Sequence, residues 1–589
     1  MTPGVYLCYS DLFDCHPTMA ELVALIRRVP LRHAAWTLAR LNMALRFALQ
    51  PKERETFGPV QQILIEAHLD DEALSRLRAR YRDARCDERP VFLPHCVLGV
   101  LRLVMLHSDP EPQPRDEDDA FVRYTIGRAC LMMNNLLLNP EEEQALLKGS
   151  EDKRRIELMV QTMSSFELTN SPRADHLVPR LQIMYRILLR DAGVRAKISQ
   201  RCEGFDFEVE FRTLLGVSIE TWLFVIYAIY AYYLNAANAL APNPTYVLID
   251  PATFCGESGI TQDVLNLVLH TLSATAAEIR NAVQYETVTD SRYDFVSFRS
   301  RPIVRIGKNK YLAVDLSFIL EKCHTGVQWS IHDRLPVKRR QTVFNAWGVL
   351  FEEYVHWLLE GMKTGLSIRY FRSPKWKNSA DESFDGLFLK GNVMVAAEYK
   401  GGFLPREARY SGDSGVFLSA LNKKFSVGCV QLAEKTGRLF AARHNDRGEL
   451  NDVSLDHIRS VIPVLVLQDH IFRVPFLNWY LNARFQECLS RFPLRDDVVI
   501  RPLTVIHIHE LESIVHSVES EDFDFVAALQ LRTYRDPEVL SDLLDFLSTF
   551  DKFGHKPSPR LKRVLDQVQD DLTSYLFPHH KLSGSSCGE

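Results

Sequence analysis

The chain has 589 residues, enough for about three to five domains at roughly 100–200 residues each. Hydrophobic residues (46%) and charged residues (25%) lie in the ordinary globular range and exclude a collagen-like or wholly disordered chain. The formal net charge of -5 gives the whole molecule no affinity for polyanions, so any basic site has to be local.

The 11 cysteines are scattered, odd in number and never spaced C-x-x-C, which argues against a disulfide framework or a structural zinc site and for a reducing compartment. Met1 to Ser10 has no basic stretch followed by an apolar one, so a cytoplasmic protein is expected.

From about Ala20 to Ala282 apolar residues recur at helical spacing, as in Leu22, Leu25, Ile26 and Trp36, Leu38, Leu41, Leu45. Loops are marked by the proline-rich Asp109–Pro114, the acidic Asp116–Asp119 and Asn139–Glu143. Thr221 to Ile249 carries no charge, but Asn235, Asn238, Pro242, Asn243 and Pro244 cut its apolar run short of the about 20 residues a membrane span needs. A buried core helix is expected, and no membrane partner. Residues 1–290 are thus read as an all-helical region for sensing, binding or assembly, where a homo-oligomer or protein partner would be engaged.

Near Tyr293 the period becomes extended: Phe295–Arg299, Pro302–Ile306, a turn at Gly307–Asn309, then Tyr311–Val314. This β-hairpin makes residues 291–340 a connector. A helix at Val343–Gly361 follows, then strands at Leu366–Phe371, Phe384–Lys390 and Val393–Tyr399. A helix at Val416–Thr436, a strand at Val461–Leu467, a helix near Pro475–Ser490 and a strand at Val498–Ile508 complete an α/β core over 341–515. Residues 516–589 read as C-terminal helices and a Ser/Gly-rich tail.

The chemistry concentrates between Asp385 and Gly402. Asp385 opens one strand, Gly391-Asn392 turns the chain, and Glu398-x-Lys400 ends the next strand, so antiparallel pairing brings both carboxylates to one end of the sheet. Alternation puts Glu398 and Lys400 on one face and Tyr399 on the other. Two hard oxygen ligands suit Mg2+, or Mn2+ in its place, and a neighbouring ammonium can orient an attacking water. A surface hairpin with an ordinary ion pair is the plain alternative. On the helix before, Gly348, Phe351, Glu352, Val355 and Leu359 share one side, which places Glu352 beside the buried face with need of a partner and leaves Glu353 to solvent. On the helix after, Lys423 and Lys424 could meet phosphate and Gln431 could orient a ligand or water.

Gly348-x-x-Phe351-Glu352-x-Tyr354, Asp385-Gly386, Glu398-x-Lys400 and Gln431, in this order within an αβββαβ arrangement, resemble the PD-(D/E)XK nuclease superfamily over about Val343 to Ile508. The resemblance implies a restriction-endonuclease-like core and Mg2+-dependent cleavage of nucleic acid. Asp385 and Glu398 are carried over as metal ligands, Lys400 as the catalytic lysine, Glu352 as the first-helix acid with a part in metal binding, and Gln431 as the second-helix glutamine. Phe384 stands where many members have proline.

Charge supports a polyanionic substrate. Between Lys338 and Phe440 there are 16 Lys/Arg and 10 Asp/Glu, a net +6 inside a chain of -5. Lys375 and Lys377 flank Trp376, which could stack a base, and Arg406 and Arg409 lie in a basic loop expected to be mobile beside the site. DNA is favoured over RNA as the partner. Gly412-Asp413-Ser414-Gly415 looks like a serine-protease nucleophile segment but lacks the all-β setting. His507 and His509 alternate on the predicted last strand and so share a face; packing is favoured over a metal pair. A nuclease joined to a helical module without a motor resembles prokaryotic anti-phage or anti-plasmid effectors in architecture. The rival reading is a non-catalytic nucleic-acid-binding or scaffold protein that keeps the nuclease-like fold as a platform.

Overall fold

The computed structural model describes residues 7–48, 57–80, 90–108, 119–137, 150–169, 174–238, 248–256, 258–284, 295–360, 368–451, 453–469, 471, 474–519, 524–549 and 558–576. The chain is mostly helical with mixed sheets in its C-terminal half, an α + α/β layout. The expected loops at 109–114 and 139–143 lie outside these residues, as does nearly all of the acidic run at 116–119.

Two compact units form. One comprises Met1–Ser150, Thr221–Gly326 and Asp570–Glu589; the other comprises Glu151–Glu220 and Val327–Gln569. This division differs from a continuous helical region 1–290 followed by a connector and core: residues 151–220 belong with the later sheet, and the connector is split.

The first unit contains helices α1 (Leu31–Ala48) and α2 (Pro94–His107) and a three-stranded sheet of β1 (Ser273–Ala274), β2 (Ile303–Gly307) and β3 (Lys310–Ala313). β1 runs parallel to β2, and β2 pairs antiparallel with β3 through the expected turn, where Asn309 takes φ 56°. Phe295–Arg299 is not extended: Val296–Ser300 is a short helix, because Phe295 and Phe298 are both buried at a spacing of three, which a strand cannot satisfy. The uncharged stretch after Thr221 enters a helix, Ile219–Asn238, with Trp222, Leu223, Ile226, Ile229 and Tyr233 buried. Among the described residues no single helix is long and apolar enough to cross a membrane. Buried Asp315 takes Asn42 Nδ2 at 2.8 Å and Arg46 Nε at 2.7 Å and accepts from the Ser317 and Phe318 amides at the next helix start.

The second unit is built on helices α3 (Ala192–Arg201), α4 (Leu316–Arg334, which enters from the first unit) and α5 (Val337–Glu360), and on α6 (Ser414–Leu421), α7 (Val427–Leu439), α8 (Leu477–Leu489) and α9 (Ile508–Glu519). Its strands are β4 (Arg369–Arg372), β5 (Gly386–Lys390), β6 (Val393–Lys400), β7 (Ser460–Leu467), β8 (Val499–Ile500) and β9 (Thr504–His507). The sheet order is β4-β5-β6-β7-β8, with β9 also on β7; β4 to β6 are antiparallel, and β6, β7, β8 and β9 run parallel. All eight residues of β7 are buried, which explains its unbroken apolar run: a central parallel strand has no solvent face. Phe384, Leu387, Met394, Phe425, Leu432, Leu465 and Phe485 fill the core around it.

Elements expected around 343–490 are present with shifted ends. The single strand expected at 498–508 is two short ones, because Pro502 cannot donate to a ladder and Leu503 N turns to Asn482 Oδ1 at 2.8 Å. His507 therefore ends β9 while His509 lies in α9, and the two do not share a strand face.

Candidate active site

Asp385 and Glu398 meet because of strand register. Gly386 pairs with Ala397, and Asp385 N donates to Ala397 O at 3.1 Å, so Asp385 stands opposite Glu398 at the sheet's end. Asp385 Oδ2 accepts from Tyr399 N at 2.7 Å, which fixes its carboxylate over the end of β6. Gly386 is required here: a Cβ would fall 2.0 Å from the Tyr399 hydroxyl and 3.3 Å from Tyr370. On that opposite face Tyr399 OH lies 3.4 Å from Tyr370 OH, which contacts His356 Nδ1 at 2.5 Å.

Glu398 is buried and held by two ammonium groups, Lys400 Nζ on Oε2 at 2.9 Å and Lys435 Nζ on Oε1. Lys435 escaped the sequence reading. The signal was present in helical spacing, since Gly428, Gln431 and Lys435 share one face of α7. Gly428 lets that face approach the sheet: a Cβ there would lie 2.6 Å from Leu465 Cδ1 and 3.0 Å from Lys400 Cε. Gln431 Oε1 on this face is buried and has no hydrogen-bond partner among the described residues.

Enclosure and then the charge of Glu398 push the Asp385 carboxyl up to about 7, against the pull of Lys400. Burial would lower Lys400, but Glu398 and Asp385 outweigh it and keep it a cation. Two crowded carboxylates fit a hard divalent cation, which would relieve their repulsion. Among the described residues no group of three or more His, Cys, Asp or Glu is placed to hold a metal. The donor set is therefore two carboxylates, with water and substrate oxygens needed to complete it, as Mg2+ tolerates.

Glu352 lies close enough to raise Asp385 by its charge, but its own oxygens are engaged. Lys197 Nζ sits 2.8 Å from Oε1, Arg201 3.4 Å from Oε2, and His356 Nε2 3.5 Å from Oε1. Burial would raise its carboxyl, yet His356 and Lys197 hold it down at about 2. Glu353, expected in solvent, is buried between Lys197 at 2.9 Å and Arg372, because α5 is enclosed on nearly every side. Lys197 and Arg201 come from α3, about 150 residues upstream, with no local mark of their destination.

The proposed nucleic-acid contacts divide. Lys375, Lys423 and Lys424 are exposed, and Lys377 is exposed with Glu449 as its partner. Trp376 is buried beneath the Arg438 guanidinium at 4.2 Å and cannot stack a base. Arg409 is buried in an ion pair with Asp469, so it serves the fold. Arg406 is half-buried in a short helix, Arg406–Tyr410, where a basic loop was expected. Asp413 caps α6 by accepting from Val416 N at 2.9 Å, and Ser414 donates to Glu157 at 3.0 Å, so Gly412–Gly415 is a helix start. His507 is buried and pushed down to about 4 by that burial, with Nδ1 3.2 Å from Asp469 O.

No protein-family model, curated protein or solved structure matches the chain.

Proposed function

We propose that the chain is a Mg2+-dependent nuclease of the PD-(D/E)XK type, with a restriction-endonuclease-like core in its second unit, acting on DNA before RNA in the cytoplasm. The observation that carries the reading is the meeting of Asp385, Glu398 and Lys400 at one end of β5 and β6, with Asp385 raised to about 7 by enclosure and Glu398. Asp385 and Glu398 would hold the cation, and the buried, unpartnered Gln431 Oε1, on the α7 face that also carries Lys435, is the candidate acceptor for a bound water. When bound, the cation supplies Lewis-acid stabilisation of charge developing on the phosphate. Lys400 stays an ammonium, which orients a water for in-line attack and balances phosphate charge. Glu352, tied to Lys197, positions the α5 side of the site. A role as an anti-phage or anti-plasmid effector rests on architecture alone.

Purified protein incubated with plasmid, linear duplex, single-stranded DNA and RNA in Mg2+, Mn2+ or EDTA tests this. Cutting in metal is expected to fall by at least about 10²-fold in Asp385→Ala, Glu398→Ala and Lys400→Ala; unchanged cutting in any of the three removes that residue's role. One observation favours the rival platform reading: both Glu398 oxygens are already taken by lysines. Metal-independent binding unaffected by Asp385→Asn, with no cutting of any substrate, would support it.

A further inference from the structure

Beside the candidate site lies an aromatic cluster that the proposed chemistry does not use. Trp329 and His332, one turn apart on α4, meet Phe344 of α5, with ring centroids 5.1 Å (Trp329–His332), 5.3 Å (Trp329–Phe344) and 4.9 Å (His332–Phe344) apart. Trp329 stands steeply to both neighbours, at 77° and 75°, so neither ring lies parallel to it. It keeps 38% of its surface exposed, which is unusual for the largest apolar side chain.

Cationic side chains border the cluster. Lys424 Nζ lies 5.9 Å from the Phe344 centroid, and Lys423 beside it is exposed. Both sit in a single π turn, Asn422–Ser426, inserted between α6 and α7, an interruption common at functional sites. The same lysine links the cluster to the site: a Cβ on Gly402 would lie 3.9 Å from Lys424 Cδ, and Gly402 is two residues beyond Lys400. An acid, Asp333, is 2.9 Å from His332 Nδ1.

We infer that Trp329, walled by Phe344 and edged by Lys424, forms a platform on which an unpaired nucleobase stacks while the lysine takes its phosphate, so that the strand leading to Lys400 is single-stranded there. The inference takes its substrate from the nuclease reading. Stacking on an aromatic face needs an unstacked base, which a duplex does not present, and it is indifferent to base identity. The buried Trp376 cannot do this; Trp329 can.

The test is fluorescence anisotropy of a labelled oligo(dT) and a duplex of equal length, in EDTA so that no cutting intervenes, with oligo(rU) as a third arm. Trp329→Ala is expected to weaken single-strand binding about tenfold with duplex binding unchanged, and Trp329→Phe to retain it. Lys424→Ala should reduce the salt slope by about one. Equal loss on duplex and single strand, or no loss, overturns the platform. Trp329→Ala must melt like the parent; if it does not, Trp329→Phe and Lys424→Ala decide. Intact metal-dependent cutting by Trp329→Ala with unchanged single-strand binding overturns the platform alone. Selective loss of single-strand binding in a protein that never cuts supports the platform and overturns the nuclease.

Discussion

Glu398 is gripped from both sides, and the grip is asymmetric in origin: Lys400 comes from its own strand, Lys435 from α7. If both ammonium groups neutralise charge near the scissile phosphate, Lys435→Ala should lower cleavage about ten- to hundredfold while binding in EDTA is unchanged. Full activity would show that Lys400 suffices. Arg409 gives a contrasting prediction. Its pair with Asp469 is fully enclosed, so Arg409→Met should cost about 3–5 kcal/mol in urea unfolding by leaving a buried carboxylate that has lost its cation and keeps the Leu404 amide. The Asp385, Glu398 and Lys400 trio was legible because strand alternation and a turn fix it locally. Glu353, Lys197, Lys435 and Trp376 were not, since what surrounds each is set by segments distant in the chain.

At the scale of elements, the approach of α7 to β6 depends on the missing side chain at Gly428. Gly428→Ala would press on Leu465 and on the Lys400 stem, and the ammonium should move without any charge being removed. Cleavage is expected to drop by about tenfold or more, with oligonucleotide affinity in EDTA retained; unchanged turnover would mean that the lysine's position is not critical. The same scale shows where periodicity served and where it failed. β5, β6 and β7 were placed to within about two residues, because buried strands bounded by Gly391-Asn392 and by polar turns leave few alternatives. Val296–Ser300 and the β8/β9 break were misread, since five residues carry both a period of two and a period of three, and one proline divides a ladder without changing the apolar pattern around it.

For the molecule as a whole, both units carry buried, neutral histidines. His68 and His95 in one unit and His507 in the other are each pushed by burial down to about 4 from an ordinary 6.5. A depressed histidine favours the fold above pH 6.5 and loses that contribution as pH falls through 4, because the unfolded chain binds the proton more readily. Each is worth on the order of 3 kcal/mol, so urea midpoints should fall steeply between pH 6.5 and 4. A flat profile would mean that these rings reach solvent. Two units also predict unfolding that departs from a single two-state transition.

The pairing of Lys197 with Glu352 spans 155 positions. At about 5–20 residues per second on a ribosome, α3 emerges roughly 8–30 s before the helix that neutralises it. During that interval a basic stretch waits without its acids, while the first unit lacks the segments after residue 220 that complete it. The interleaving thus delays the candidate site until most of the chain has been made, and a fragment beginning near residue 340 would expose Glu352 and Glu353 with half their counter-charges gone.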